Sequence, residues 1–119
     1  MDLVIKNGTI ITATESYKAD IDVRNGKIAI ISEEIDAEGS QVVDAAGKFV
    51  LPGAIDAHVH LELPVSGTVS ADNYEAGTRA AACGGTTMVF DFATQGKGMG
   101  LIETVEDRLR IAKPQACID

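Results

Sequence analysis

Histidine and cysteine are scarce in this sequence, cationic side chains are outnumbered, and long apolar runs are missing. Its 119 residues carry 10 Lys and Arg against 18 Asp and Glu, a formal net charge of −8. No basic patch is visible, which sets nucleic acid aside as a partner. No apolar run approaches the ~18 residues of a membrane-spanning helix. The opening Met1-Asp2-Leu3-Val4-Ile5-Lys6 has no basic segment leading into an apolar one, so no secretory signal is expected. The two cysteines, Cys83 and Cys117, stand far apart among apolar residues. The expectation is two buried thiols in a reducing compartment, which points to the cytoplasm.

What is present is the composition of a globular protein: 45% hydrophobic and 24% charged residues. The length suits one ordinary domain and not two large ones.

Residues 1–52 read as short strands. The runs Leu3 to Lys6 and Thr9 to Thr12 flank Asn7-Gly8, and Ile21 to Arg24 and Lys27 to Ile31 flank Asn25-Gly26. Asn-Gly between β-rich runs signals a tight hairpin, because both turn positions need positive φ. A third hairpin is expected between Gln41–Asp44 and Lys48–Leu51 around Ala46-Gly47, with Ser32 to Ser40 as a loop. Together these predict a small antiparallel sheet of about six strands.

After Pro52-Gly53 the pattern changes. A strand from Ala54 to Leu61 is followed by a loop from Glu62 to Val69. A helix is expected from about Ala71 to Cys83, capped by Ser70 or Asp72 and stopped by Gly84-Gly85. A strand from Thr86 to Phe92, a glycine-rich loop from Gly96 to Gly100, and a helix from Leu101 to Ala112 follow. Ala116 to Asp119 resembles the opening of a third strand. Strands alternating with helices imply a parallel sheet with right-handed crossovers. A closed barrel of this kind takes eight units and about 250 residues, so the chain is expected to be the N-terminal piece of a longer protein.

The chemistry concentrates in Ala54-Ile55-Asp56-Ala57-His58-Val59-His60-Leu61. Residues two apart share a strand face, so Asp56, His58 and His60 line one side and Ile55, Ala57, Val59 and Leu61 the other. His58 and His60 are the only histidines. Two imidazoles at this spacing can grip one cation, although a catalytic zinc takes three protein ligands plus water. The competing reading is a pair of locally hydrogen-bonded histidines. Polar groups at the C-terminal end of a parallel strand, with apolar residues behind them, are where such folds place active sites. Asp91, near the end of the next strand, reads either as a strand-end cap or as a carboxylate that orients a metal ligand. Gly96 to Gly100 lacks the Gly-Lys-Ser/Thr ending of a phosphate loop. Leu63 and Val65 leave the histidine strand directly and either line a pocket or pack the loop.

Pro52-Gly53-Ala54-Ile55-Asp56-Ala57-His58-Val59-His60 resembles the signature of the cyclic amidohydrolases. Gly67-Thr68, the stretch Gly77-Thr78-Arg79-Ala80-Ala81-Ala82-Cys83-Gly84-Gly85-Thr86-Thr87, and the opening Ile5-Lys6-Asn7-Gly8-Thr9-Ile10 resemble the dihydropyrimidinase and D-hydantoinase branch of that superfamily. The resemblance covers essentially the whole chain. It implies an α/β protein with an all-β N-terminal part: residues 1–52 a portion of a β-sandwich, and residues 53–119 the first β/α units of an incomplete (β/α)8 TIM-type barrel. It implies a binuclear metal centre, usually zinc, bridged by a carboxylated lysine and a hydroxide. The implied reaction is hydrolytic opening of a small cyclic amide, a dihydropyrimidine or 5-substituted hydantoin, to an N-carbamoyl amino acid.

Residue by residue, the resemblance makes His58 and His60 metal ligands. It places Leu63 and Val65 in the loop lining the substrate pocket, and it implies a homotetramer. The family's bridging lysine, further histidines, catalytic aspartate and substrate-binding tyrosine match nothing here; Lys97, Lys113 and Asp119 carry none of those motifs. No catalytic residue is therefore assigned within this chain, and the 119 residues alone are expected to be inactive. Alternative readings on the same scaffold are an allantoinase or dihydroorotase type of amidohydrolase, a non-catalytic assembly relative of the collapsin response mediator kind, and a truncated product whose sheet edges another chain completes.

Overall fold

The computed structural model describes residues 2–119. The chain forms two compact units, one running to Pro52 and the other from Gly53 to Asp119.

The first unit is a five-stranded mixed sheet built around β1 (Leu3–Ile11). β2 (Ser16–Arg24) runs antiparallel to β1, and β3 (Lys27–Ser32) antiparallel to β2. The turn between β2 and β3 is the expected Asn-Gly hairpin, with φ of 51° at Asn25 and 70° at Gly26.

The other two expected hairpins are absent. Asn7-Gly8 lies inside β1 as a bulge, where the register with β2 shifts between Ile5 and Gly8. Only Asn7 takes positive φ, at 63°. Its N–H donates to Asp20 Oδ1 at 2.9 Å, and its side-chain amide donates to Asp44 Oδ1 at 2.9 Å. A Cβ on Gly8 would come within 2.6 Å of Val50 Cγ2, so glycine serves the close approach of a neighbouring strand. β4 (Gln41–Asp44) and β5 (Phe49–Val50) do not pair with each other; both run parallel to β1, beside its first and second halves. Val4, Ile10, Ala19 and Ile21 fill the core.

Asp20 and Asp22 are buried in this sheet. Burial pushes the Asp20 carboxyl up. The N–H groups of Asn7 and Ile35 and the Lys6 ammonium at 3.3 Å outweigh that and hold it below the ordinary value.

The second unit contains β6 (Ala54–Val59), α1 (Tyr74–Cys83), β9 (Thr86–Asp91) and α2 (Leu101–Ala112), with β6 and β9 parallel. The segment expected as a loop contains a two-residue ladder, β7 (Pro64–Val65) with β8 (Thr68–Val69), turned by Ser66 and Gly67 at φ of 47° and 83°.

α1 starts later than expected. Its cap is Asn73, whose side chain accepts from Ala76 N–H at 2.8 Å, a contact worth about 1 kcal/mol. Ser70 and Asp72 are engaged elsewhere: Asp72 O accepts from Glu62 N–H, and Ser70 binds the segment after the histidines. Gly84 and Gly85 end α1 as expected. α2 keeps its expected limits, but Leu101, Val105 and Leu109 are exposed while Thr104 is buried. No strand forms at Ala116 to Asp119, although Asp119 exchanges backbone hydrogen bonds with Thr87 and Val89.

The cysteines are free and exposed, against the expectation of burial. Cys83 lies nine residues after the buried Tyr74, which puts it about half a turn away from the packed face of α1.

Candidate metal site

The histidine strand begins with a forced close approach. Ala54 N–H donates to Gly85 O at 2.9 Å. A Cβ on Gly53 would stand 2.0 to 2.7 Å from the side-chain atoms of Thr87. β6 stops at Val59, short of the expected Leu61, and its register with β9 shifts between Asp56 and Val59; His58 lies on the strand and His60 just past its end, with their rings side by side. Their Nε2 atoms are 3.1 Å apart, within hydrogen-bond distance of each other, as the competing expectation of a locally hydrogen-bonded pair has it, with ring centroids at 4.9 Å and planes at 77°. Asp56, on the same face, turns Oδ1 onto His58 N–H at 3.1 Å.

Phe92, immediately after β9, supports both rings, with centroids 4.6 Å from His58 and 5.1 Å from His60. The sequence reading did not single it out for the site. Its position at the end of the strand parallel to the histidine strand was the available signal.

The segment after His60 is clipped at several points. Ser70 Oγ donates to His60 O at 3.0 Å and accepts from Leu63 N–H at 2.9 Å. Leu63 is half-buried and tied to His60 through this hydroxyl, whereas Val65 is exposed on β7. Glu62 holds φ of 45°, uncommon for a residue with a side chain.

Asp91 does not orient either imidazole. Its Oδ2 accepts from the Tyr74 hydroxyl and from Arg108 Nε and Nη2, at 3.1 and 2.9 Å for the arginine nitrogens. Its Oδ1 accepts from Phe92 N–H at 2.8 Å. The Arg108 and Asp91 side chains are 13% and 11% exposed. Removing one member of so buried a pair strands the other charge, at a cost of about 3–5 kcal/mol. Burial, reinforced by the adjacent Asp91 carboxylate, raises the Tyr74 hydroxyl well above its ordinary value of 10.0. A cavity of 340 Å³ lies beside this network, lined by Tyr74, Thr78, Val89, Asp91, Arg108 and Leu109 among others; neither histidine lines it.

The imidazole pair fits part of a metal site. Two nitrogens bound to one tetrahedral zinc at about 2.0–2.1 Å stand about 3.3–3.4 Å apart, close to the 3.1 Å observed. Among the described residues no group of three or more His, Cys, Asp or Glu side chains is placed to hold a metal. The chain therefore offers two donors on a supported strand end. Among the described residues no helix is long and apolar enough to cross a membrane.

Comparison with known proteins gives consistent matches. A model of the amidohydrolase family matches residues 49–119. The D-hydantoinase of Geobacillus stearothermophilus is 48% identical over 119 residues, covering 100% of this chain and 25% of that protein. The dihydropyrimidinase of Rattus norvegicus is 39% identical over 122 residues, covering 98% of this chain and 24% of that protein. The crystal structure of dihydropyrimidinase from Brevibacillus agri NCHU1002 matches with a TM-score of 0.94 at 41% identity, covering 100% of this chain and 26% of that one. The chain thus has the fold of one part of these proteins and spans about a quarter of their length.

Proposed function

We propose, from the premise that this chain belongs to the amidohydrolase family, that it is the N-terminal portion of a metal-dependent hydrolase that opens cyclic amides. The substrate class is dihydropyrimidines or 5-substituted hydantoins, and the product an N-carbamoyl amino acid. The names of the relatives support that class. The observation that carries the reading is the convergence of His58 Nε2 and His60 Nε2 to 3.1 Å at the end of β6.

In this reading residues 1–52 contribute to a β-sandwich. Residues 53–119 are the first β/α units of a (β/α)8 barrel, whose active site lies at the C-terminal ends of its strands. His58 and His60 hold zinc in a binuclear site, and the remaining ligands come from the rest of the longer protein. A metal held there would supply a water of lowered pKa and Lewis acidity toward the scissile carbonyl. The chain's own residues hold the nitrogens in place. β6 sets their spacing, and Phe92 supports both rings. Leu63 and Val65 supply the apolar side of the substrate pocket. Two donors fall short of the three protein ligands of a catalytic zinc, so the 119 residues alone do not turn over substrate. The proposal also takes the enzyme to be a cytoplasmic homotetramer.

The test is hydantoin and dihydrouracil opening by the full-length protein, with metal content measured on the same sample. His58→Ala and His60→Ala should each lose bound metal and activity together. The loss in metal affinity should exceed the about 10–100-fold cost of removing a residue that merely orients a ligand. Metal-free, inactive wild-type protein would sink the proposal.

A further inference from the structure

Among the described residues no carboxylate holds the rings of the histidine pair, yet both ends of its surroundings lead to one guanidinium. We infer that Arg108 is a positioning residue for the metal site: it fixes the chain leaving His60 and, through Asp91, the phenyl ring that supports both imidazoles. The inference rests on the proposed metal-binding role of His58 and His60.

Arg108 projects from α2, 47 residues away from the carbonyl of Leu61 to which its Nη2 donates. Its Nη1 donates to Glu62 O at 3.0 Å. These are the first and second carbonyls after His60. A planar guanidinium presents its donors in a fixed fork, so the two carbonyls are held in one mutual orientation. That orientation includes the left-handed backbone of Glu62, a conformation that persists only where the surroundings over-determine it. The Glu62 N–H is held as well, by Asp72 O at 2.8 Å.

The second route runs through Asp91. One oxygen takes Arg108 and Tyr74, and the other takes the N–H of Phe92. Phe92 then lies against both imidazoles. Arg108 also stacks over Tyr74, with Cζ 5.0 Å from the ring centroid. The guanidinium is thus fixed from two sides before it grips the loop. A role confined to docking α2 on β9 is met by the ion pair to Asp91. It does not account for two donors spent on the carbonyls that follow His60.

The experiment compares full-length wild type, Arg108→Met and Arg110→Met. Arg110 is the control: it sits two residues on, in an exposed pair with Asp107. The first readout is the rate at which zinc is lost to a chelator, with the visible spectrum of the cobalt-loaded protein. Arg108→Met should speed metal loss about tenfold, at the low end of what ligand-orienting residues contribute, and should alter the cobalt spectrum. Arg110→Met should change neither. The second readout is a crystal structure of metal-free Arg108→Met, in which His60 and the Leu61 to Val65 segment should be displaced.

Unchanged metal loss and an unchanged cobalt spectrum would overturn the inference, whatever happens to the melting temperature. If the wild type binds no metal, the proposed function fails, and the metal-free structure alone decides this inference; an undisplaced segment overturns it. If Arg108→Met does not fold, Tyr74→Phe, which removes one donor from Asp91, is read the same way with a smaller expected effect.

Discussion

Gly53→Ala should damage the histidine strand, although the substitution is favourable for the unfolded chain. Replacing glycine by alanine where the backbone permits it stabilises by about 0.4–1 kcal/mol, because the unfolded chain loses freedom. Gly53 is not among the residues with positive φ, so the backbone permits it. The space does not. The new methyl would meet Thr87 Oγ1 at 2.0 Å, Cγ2 at 2.3 Å and Cβ at 2.7 Å, where ordinary contact begins at 3.4 Å. Rotating Thr87 about χ1 can move the first two atoms. The Cβ is fixed by the backbone of β9, so relief requires β6 and β9 to part at the Ala54–Thr86 pairing. Overpacking of this kind costs about 1–3 kcal/mol, which leaves a net loss of up to about 2.6 kcal/mol once the favourable term is set against it. The assay is the urea midpoint of the full-length protein, for Gly53→Ala, Thr87→Gly and the double variant. Residues in direct contact show non-additivity, so the double variant should recover the steric term, about 1–3 kcal/mol, relative to the sum of the singles. A midpoint for Gly53→Ala at or above wild type, or strict additivity in the cycle, would refute the steric argument.

Two pH predictions follow from groups away from the histidines. Asp20 is held below its ordinary value of 3.8, so the folded state releases this proton more readily than the unfolded one. Its contribution is fully present above about 4 and is lost as pH falls through the folded value; Asp20→Asn should flatten that acid limb in a pH series of thermal melts. Tyr74 has the opposite sign, because its folded value lies above 10.0. As pH rises past 10 the unfolded chain ionises first and stability falls; Tyr74→Phe should remove that part of the alkaline limb, and an unchanged limb would place it elsewhere.

What the sequence made legible was local. The nearness of the two histidines follows from their i, i+2 spacing, although only His58 lies within β6, and the Asn25-Gly26 hairpin follows from the φ demands of two adjacent residues. α2 keeps the limits expected for it, Leu101 to Ala112. The same local rule failed at Asn7-Gly8 because a distant group competes for the backbone there. Asp20, 13 residues on, takes the Asn7 N–H, and the chain continues straight through a bulge. Ala46-Gly47 misled in a related way. The turn exists, with Gly47 at φ of 71°, but each flanking strand pairs with β1 and not with the other. The cap of α1 lies at Asn73, while the Ser70 hydroxyl is committed to the residues after the histidines.

The candidate site divides along the same line. The donors are legible because they are neighbours, but what holds them in place is not. Phe92, Ser70 and Arg108 reach the histidine segment from three separate parts of the chain. Asp91 shows how the two levels meet. Its place at a strand end was visible, and both local readings gave it one task. The folded chain uses its two oxygens separately, one for the Arg108 and Tyr74 pair and one for the backbone that carries Phe92. A carboxylate that contacts neither imidazole is thus linked to both through Phe92. On the proposed role of the histidines, residue 108 joins residues 58 and 60 in setting how firmly a metal is held.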